Sequence, residues 1–318
     1  MKTRRRNMRS IRSGSKRNVS IRSKRNGIKR TQHGGQKPFK KVQCAPKSKD
    51  IQKFTCYEEN DLLKMRDLWN ARHRDAPIEA KMPKDIWLAL KAKMAAACDT
   101  ESCWLKQKFM ENNLDEKLST YTFAPKSPLK WKEKHTTWLN SDDIEKIMKQ
   151  YEHTFKCFRF IGPTPIDFDT QLHDKECVWE DLCHFDLSDF IKKGVNKIGI
   201  IFNTDPHTKS GAHWISLFIN IKKRFIFFFD SNGTEMPRQI EAFVKRITEQ
   251  GEKNGIKFKF DQNAPFAHQE GNTECGMYSL YLIVSLLKDK HTCKYFKTTK
   301  IHDAAVEHLR DTYYNSDL

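Results

Sequence analysis

Two kinds of apolar spacing alternate along the chain, and the change from one to the other divides it into regions. From Lys53 to about Tyr121 the spacing is helical. Pro83 opens a helix on which Ile86, Trp87, Leu90 and Met94 share a face, followed by the small-residue run 95–97. A second helix is predicted over 101–112, with Trp104, Leu105 and Phe109 on its apolar side. The stretch 123–131, broken by Pro125 and Pro128, reads as a linker. Next comes a strong helix start, where Asn140 or Ser141 can cap and Asp142 and Asp143 occupy the first turn. Ile144, Ile147, Met148 and Tyr151 give that helix its apolar face. Beyond it, strand-like runs at 198–203, 214–221, 225–229 and 256–260 alternate with helical runs at 237–250 and 276–288. The pattern predicts an α+β body and shows no internal repeat.

Charge separates the beginning of the chain from the rest. Residues 1–49 hold 18 Lys and Arg and no acid, so the other 58 − 18 = 40 basic side chains balance all 40 acidic ones. The organisation expected is a disordered basic tail over 1–49, a helical accessory region over 50–122 and a catalytic domain over 123–318. The tail reads either as an electrostatic arm for DNA or a nuclear-import signal, or as a solvated extension. The longest apolar run, 278–287, is too short to span a bilayer, so no membrane insertion is expected. No apolar stretch follows the basic start, which argues against a secretory signal. Nine irregularly spaced cysteines argue against a disulfide framework and for free thiols in a reducing, intracellular compartment.

The candidate chemistry lies between Gly211 and Tyr281. His213 stands before one strand, Asp230 ends the next, and only Lys222-Lys223-Arg224 separates the two, so they should pair as a hairpin. With Lys222 and Lys223 in the turn, Ile215 faces Asp230 and His213 faces Asn232. An imidazole thus meets an acid or an amide at one end of the ladder, the arrangement that orients a general base. Cys275 directly precedes an apolar helix, where the positive end of the helix dipole and a nearby imidazolium favour a thiolate. Gln269 and a backbone amide of the same loop could hold an oxyanion. Taken singly, each feature has a plainer reading: a buried thiol, a surface histidine, a turn at 230–233.

Order and spacing together change the odds. His213-Trp214, then Asp230, then Gln269 six residues before Cys275-Gly276 resembles the ubiquitin-like-protein (SUMO) proteases and the adenovirus protease. Trp138-Leu139-Asn140-Ser141-Asp142 is similar to the Trp-Leu-Asn-Asp opening of that catalytic domain. The resemblance implies a papain-like fold over about 120–318, a central mixed sheet flanked by helices. It implies a cofactor-free thiol peptidase with His213 as base, Asp230 as orienter, Cys275 as nucleophile and Gln269 as oxyanion donor. Trp138 and Trp214 would clamp a Gly-Gly in the protein substrate. Asn232, the direct hairpin partner of His213, stays open as the alternative orienter.

The basic tail and the helical region with Glu101-Ser102-Cys103-Trp104 resemble the processing proteases of large cytoplasmic DNA viruses. That implies maturation of core proteins after Gly-Gly, in the virion and host cytoplasm. Two other readings remain: removal of SUMO or a related modifier from conjugates, and a DNA-binding virion scaffold. Cys98 with Cys103, and Cys177 with Cys183, His184 and His173, invite a zinc reading, but their spacing gives no compact four-ligand set, so no metal is expected. Cys157 and Cys293 read as core thiols, and His268 as a loop residue.

Overall fold

Backbone pairing centres on strands rich in isoleucine and phenylalanine. In the computed structural model, which describes residues 38–47, 54–110, 116–173 and 175–316, the strands are β1 (Phe158–Pro165), β2 (Lys197–Asn203), β3 (Trp214–Asn220), β4 (Phe225–Phe229) and β5 (Lys259–Gln262). They form one mixed sheet in the order of the chain, with β2, β3 and β4 antiparallel and the two outer strands parallel to their neighbours. The helices are α1 (Glu59–Arg72), α2 (Pro83–Met94), α3 (Glu116–Tyr121), α4 (Ser141–Thr154), α5 (Glu180–Cys183) and α6 (Leu187–Lys192). After β4 come α7 (Arg238–Lys253), α8 (Cys275–Leu287), α9 (Cys293–Thr298), α10 (Asp303–Glu307) and α11 (Arg310–Tyr313).

The β3–β4 hairpin has the register its two-lysine break predicts, Ser216 opposite Phe229 through Asn220 opposite Phe225. Asn220 Oδ1 accepts from Lys223 N in the turn, and Arg224 closes it with a φ of 57°. Alternation then sorts side chains between the two faces. Ile215, Leu217, Ile219, Ile226 and Phe228 join Ile240, Phe243, Val244 and Ile247 of α7 in one core. Trp214, Phe218, Phe227 and Phe229 face the other way, into a core with α4 and α8. Helix α4 starts as its sequence requires, with Asn140 Oδ1 accepting from Asp143 N at 2.8 Å and the Asp143 carboxylate returning to Asn140 N.

Several expectations are corrected. Strand β1 was hidden by Gly162, Pro163 and Pro165; prolines are tolerated there because β1 lies at the sheet edge and its pairing shifts between Ile161 and Thr164. The strand expected at 256–260 lies at Lys259–Gln262, because Ile256 N bonds back to Gly251 O to close α7. The helix expected at 101–112 is a 3₁₀ turn, Ser102–Lys106, followed by irregular chain. Glu101 is drawn into the core there: its carboxylate accepts from Cys56 N and Trp87 Nε1, and its carbonyl from the Tyr57 hydroxyl. The apolar side chains of that stretch are nevertheless buried, Trp104 with Leu62, Met65 and Leu90.

The basic tail lies outside the described residues up to position 37, but 38–47 do not behave as a tail. Val42 and Ala45 are buried and Cys44 bridges to Phe123. The 123–131 stretch is likewise packed, since the Asn315 amide donates to Ala124 O and Gln43 O. Cysteine pairing was also misjudged: Cys44–Cys56, Cys98–Cys103 and Cys177–Cys183 are disulfides with Cα separations of 5.1, 5.5 and 6.2 Å. These fall in the bridging range, a property of the folded chain that spacing does not reveal. Cys157, Cys275 and Cys293 are free, and Cys157 and Cys293 are only half-buried. Among the described residues no helix is long and apolar enough to cross a membrane.

One buried ion pair joins distant parts of this body. Arg310 of α11, with no exposed side-chain surface, holds Glu274 at 2.7 Å, donates to Thr137 O at 2.9 Å and lies over the Trp131 ring. Removing one partner strands the other charge in the interior. Arg310→Ala should therefore cost about 3–5 kcal/mol in urea unfolding, whereas Arg310→Met with Glu274→Leu should recover most of it. A single Arg310→Ala loss below about 0.5 kcal/mol would show that water reaches Glu274 freely.

Candidate active site

His213 occupies the residue before β3, where its carbonyl accepts from Thr204 N at 2.9 Å. The preceding loop is held by Asn203, whose Oδ1 accepts from Asp205 N and Ala212 N. Asp230 follows the last residue of β4 and starts a turn closed by Gly233 N to its carbonyl. Asn263, the residue after β5, clamps that turn, taking Asp230 N on Oδ1 and giving Nδ2 to Asp230 O. Continued past its last pair, Ser216 with Phe229, the register would set Asn232 opposite His213 and Asp230 diagonal to it on the same face. The turn carries Asn232 away from the ladder and leaves Asp230 in reach. Asp230 Oδ1 lies 2.7 Å from His213 Nε2, and Asn232 Nδ2 lies 3.4 Å from it. The carboxylate also accepts from Asn232 N at 2.8 Å.

Cys275 is buried at the first position of α8, directly after Glu274. After Asp230, its thiol is the second group whose interaction with the imidazole raises the His213 pKa. Burial alone would lower the pKa of His213. The hydrogen bonds with Asp230 and Cys275, and the charges of both, outweigh burial and raise it from 6.5 to about 9. At neutral pH the imidazole is therefore a cation beside the thiol. Gly276 lets α8 close on the sheet, since a Cβ there would lie 3.2 Å from both Leu139 Cβ and Trp214 Cδ1.

Gln269 is tied to the same turn as Asp230. Its N–H donates to Ser231 O, and its Oε1 accepts from Ser231 Oγ at 2.8 Å. One side-chain N–H donates to Gly271 O at 2.9 Å, which leaves the second N–H of the amide for another acceptor. The four candidates His213, Asp230, Gln269 and Cys275 thus stand on elements sewn to one another.

A groove of about 1100 Å³ reaches Trp214, the residue after His213, and is lined by Trp138, Asn140, Pro163, Asn203 and Gly211 among others, while none of the four candidates lines it. The two indoles differ in setting. Trp138 is 41% exposed, while Trp214 is buried and donates through Nε1 to Leu139 O at 3.0 Å. His268 is more than the loop residue expected. It is fully buried, with Nε2 at 2.8 Å from Phe296 O and Nδ1 accepting from Ile301 N. Of the zinc candidates, Cys177, Cys183 and His184 have donor atoms within 4.8 Å of one another. Cys177 and Cys183 are joined to each other, and a disulfide offers no thiolate to a metal. His173 is exposed. Sequence reasoning missed Ser231, Asn263 and Arg310. No local pattern marks them, because they act on residues far along the chain.

Three comparisons bear on this geometry. Residues 182–317 match the model of the Ulp1 protease family, C-terminal catalytic domain. The chain is 29% identical over 266 residues to a putative thiol protease of Acanthamoeba polyphaga mimivirus, covering 77% of this chain and 84% of that protein. It is 26% identical over 256 residues to a protein of African swine fever virus named SUMO-1 cysteine protease, covering 75% and 90%. A crystal structure of the African swine fever virus protease superposes with a TM-score of 0.59 at 22% identity, covering 86% of this chain and 95% of that one, which establishes the shared fold.

The titration of His213 tests the electrostatics without reference to activity. Its folded pKa exceeds the unfolded value, so the stability it contributes is complete below about pH 6.5 and is lost as pH rises through about 9. An NMR titration should place the imidazole near 9 in the wild type. Asp230→Ala should bring it down toward or below the ordinary histidine value, and Asn232→Ala should leave it near 9. An imidazole unmoved by Asp230→Ala would rule out the carboxylate as the cause.

Proposed function

The chain carries a catalytic domain of the Ulp1 protease family and is a cysteine peptidase, and from that premise we propose that it cleaves protein substrates after Gly-Gly, with Cys275 as the nucleophile. The observation that carries the reading is one imidazole, His213, bonded to the Asp230 carboxylate and raised in pKa by both that carboxylate and the Cys275 thiol at the start of α8. The Cys275 thiolate attacks the carbonyl carbon of the second glycine. The oxyanion is met by the free N–H of Gln269 and by a backbone N–H from the first turn of α8, where helical amides have no partner. The tetrahedral intermediate collapses, the C–N bond breaks, and the imidazolium of His213 gives its proton to the leaving amine. Water, deprotonated by His213, then attacks the thioester and releases the acid. Asp230 orients the imidazole and stabilises its charge. No step calls for a cofactor.

Substrate approach follows from the groove. Trp138 and Trp214 both line the groove; in the proposed path to Cys275 a glycine passes the indoles because it has no Cβ to meet the rings. Two substrate classes share that chemistry. We favour processing of viral core or structural polyproteins, in keeping with relatives from two large DNA viruses. The swine fever relative's name, SUMO-1 cysteine protease, supports a second reading, removal of a ubiquitin-like modifier. Comparing Gly-Gly-Xaa peptides with a folded modifier fusion separates them: polyprotein processing requires efficient peptide cleavage, deconjugation a strong preference for the fusion. For the tail we propose electrostatic binding to packaged DNA, supported by the 14 Lys and Arg of residues 1–37, a stretch with no acid. A DNA-binding scaffold with an idle site is the reading in which labelling by an active-site thiol reagent fails.

Cys275→Ala should lose about a thousandfold or more in turnover of a Gly-Gly peptide while keeping its melting temperature. Retained cleavage by a folded Cys275→Ala protein ends the nucleophile assignment. Replacing either substrate glycine by alanine should lower kcat/KM by about tenfold or more; equal cleavage of Gly-Gly and Ala-Ala peptides removes the indole channel and leaves the nucleophile untouched. DNA binding by the full chain should weaken steeply with salt. Deleting the residues up to 37, which spares the packed stretch from 38, should abolish that binding and leave peptide turnover unchanged. Equal DNA binding by the shortened chain would place the surface on the folded body.

A further inference from the structure

The residues around Gln269 are held by a carboxylate from a part of the chain that neither spacing nor family resemblance singles out. We propose that Asp303, the first residue of α10, is a positioning residue for the oxyanion side of the site, acting through the peptide of Gly271. The proposal rests on the reading of Gln269 as an oxyanion donor.

Both oxygens of Asp303 are engaged. Oδ2 accepts from Gly271 N at 2.7 Å, Oδ1 accepts from Glu270 N at 3.2 Å, and the Tyr278 hydroxyl lies 2.8 Å from Oδ1. Gly271 is the residue whose carbonyl takes one N–H of Gln269. The relay is therefore short. The carboxylate fixes the Gly271 backbone, that backbone fixes the Gln269 amide, and Ser231 Oγ holds the amide's oxygen. With its oxygen and one N–H committed, the amide can turn its remaining N–H in one direction only. A Cβ on Gly271 would lie 3.1 Å from Asp303 Oδ2, so loop and carboxylate are in direct contact.

Tyr278 gives the arrangement its second function. It stands three residues after Cys275 on the same helix, and its hydroxyl also lies 2.9 Å from Ile301 O. Asp303 thus bridges the loop that carries Gln269 and the helix that carries the sulfur. A charged acceptor shared by two backbone amides and a phenol holds both to one geometry, and an oxyanion hole depends on its donors being in place before charge develops. Displacing such a donor by about an ångström is enough to cost roughly a hundredfold in rate.

The test compares turnover per titrated active site for Asp303→Asn, Asp303→Ala, Tyr278→Phe and Gln269→Ala. Asn keeps the shape of Asp303 but presents an NH₂ to one of the donors. Both Asp303 variants should lose about ten- to a hundredfold in kcat with KM unchanged. The rate of Cys275 alkylation by iodoacetamide should also stay the same, because alkylation builds no oxyanion. Tyr278→Phe, which breaks only the helix side of the bridge, should lose less. In a Gln269→Ala background, Asp303→Ala should cost much less than it does in the wild type. Should Asp303→Ala fail to fold, Asp303→Asn and Tyr278→Phe carry the test. Wild-type kcat for Asp303→Asn alongside a slow Gln269→Ala enzyme overturns the positioning role, as do additive losses in the double variant. Full activity of Gln269→Ala, with Cys275→Ala dead, removes the oxyanion reading and this proposal with it but leaves the nucleophile in place.

Discussion

Helix α8 has no polar face, and the body is built around that fact. Every residue of it except Tyr281 is buried, so it must lie enclosed between the sheet and the helices on that side. Two glycines set its height. A Cβ on Gly199 of β2 would fall 2.8 Å from Ile283 Cγ2, and one on Gly276 would press on Leu139 and Trp214. With neither side chain present, the helix seats closely on β2 and β3. Its first residue, Cys275, is thereby brought to the end of β3, where His213 stands. Burial of an apolar helix is non-directional in origin, yet here it delivers one sulfur to one imidazole.

Electrostatics then define the state of that meeting point. Taking His213 out of water disfavours its cation, and the nearby carboxylate and thiol reverse the preference. The reversal needs Asp230 held still, which the Asn263 amide does through both its oxygen and its nitrogen. Charge, hydrogen bond and turn geometry act on the same few atoms.

Polar ties from distant segments finish the arrangement. Ser231 binds the Asp230 turn to the Gln269 loop, and Asp303 and Arg310, both near the end of the chain, grip that loop at its two ends. Arg310 also reaches Thr137 O, next to Trp138, so the groove wall and the start of α8 share one support. Buried polar groups of this kind must be satisfied, and satisfying them restricts the loop to one conformation.

Much of this was determined locally. The Lys222-Lys223 break between two apolar runs sets the hairpin register, the aspartates after Asn140 start α4, and the order of His213, Asp230, Gln269 and Cys275 resembles that of a family of cysteine peptidases. The uncompensated charge of 1–49 is likewise a matter of sequence. Such signals span a few residues, the distance over which backbone period and capping operate. What the tertiary structure decided involves partners far apart in the chain: Asp230 nearer the imidazole than Asn232, Cys44 bonded to Cys56, Glu274 paired with Arg310, residues 38–47 packed instead of free. A strand with two prolines could form only at an edge, and which strand lies at the edge is settled when the sheet assembles. Spacing along a chain records which groups can share a face; which of them meet depends on distances that exist only once the chain has closed on itself.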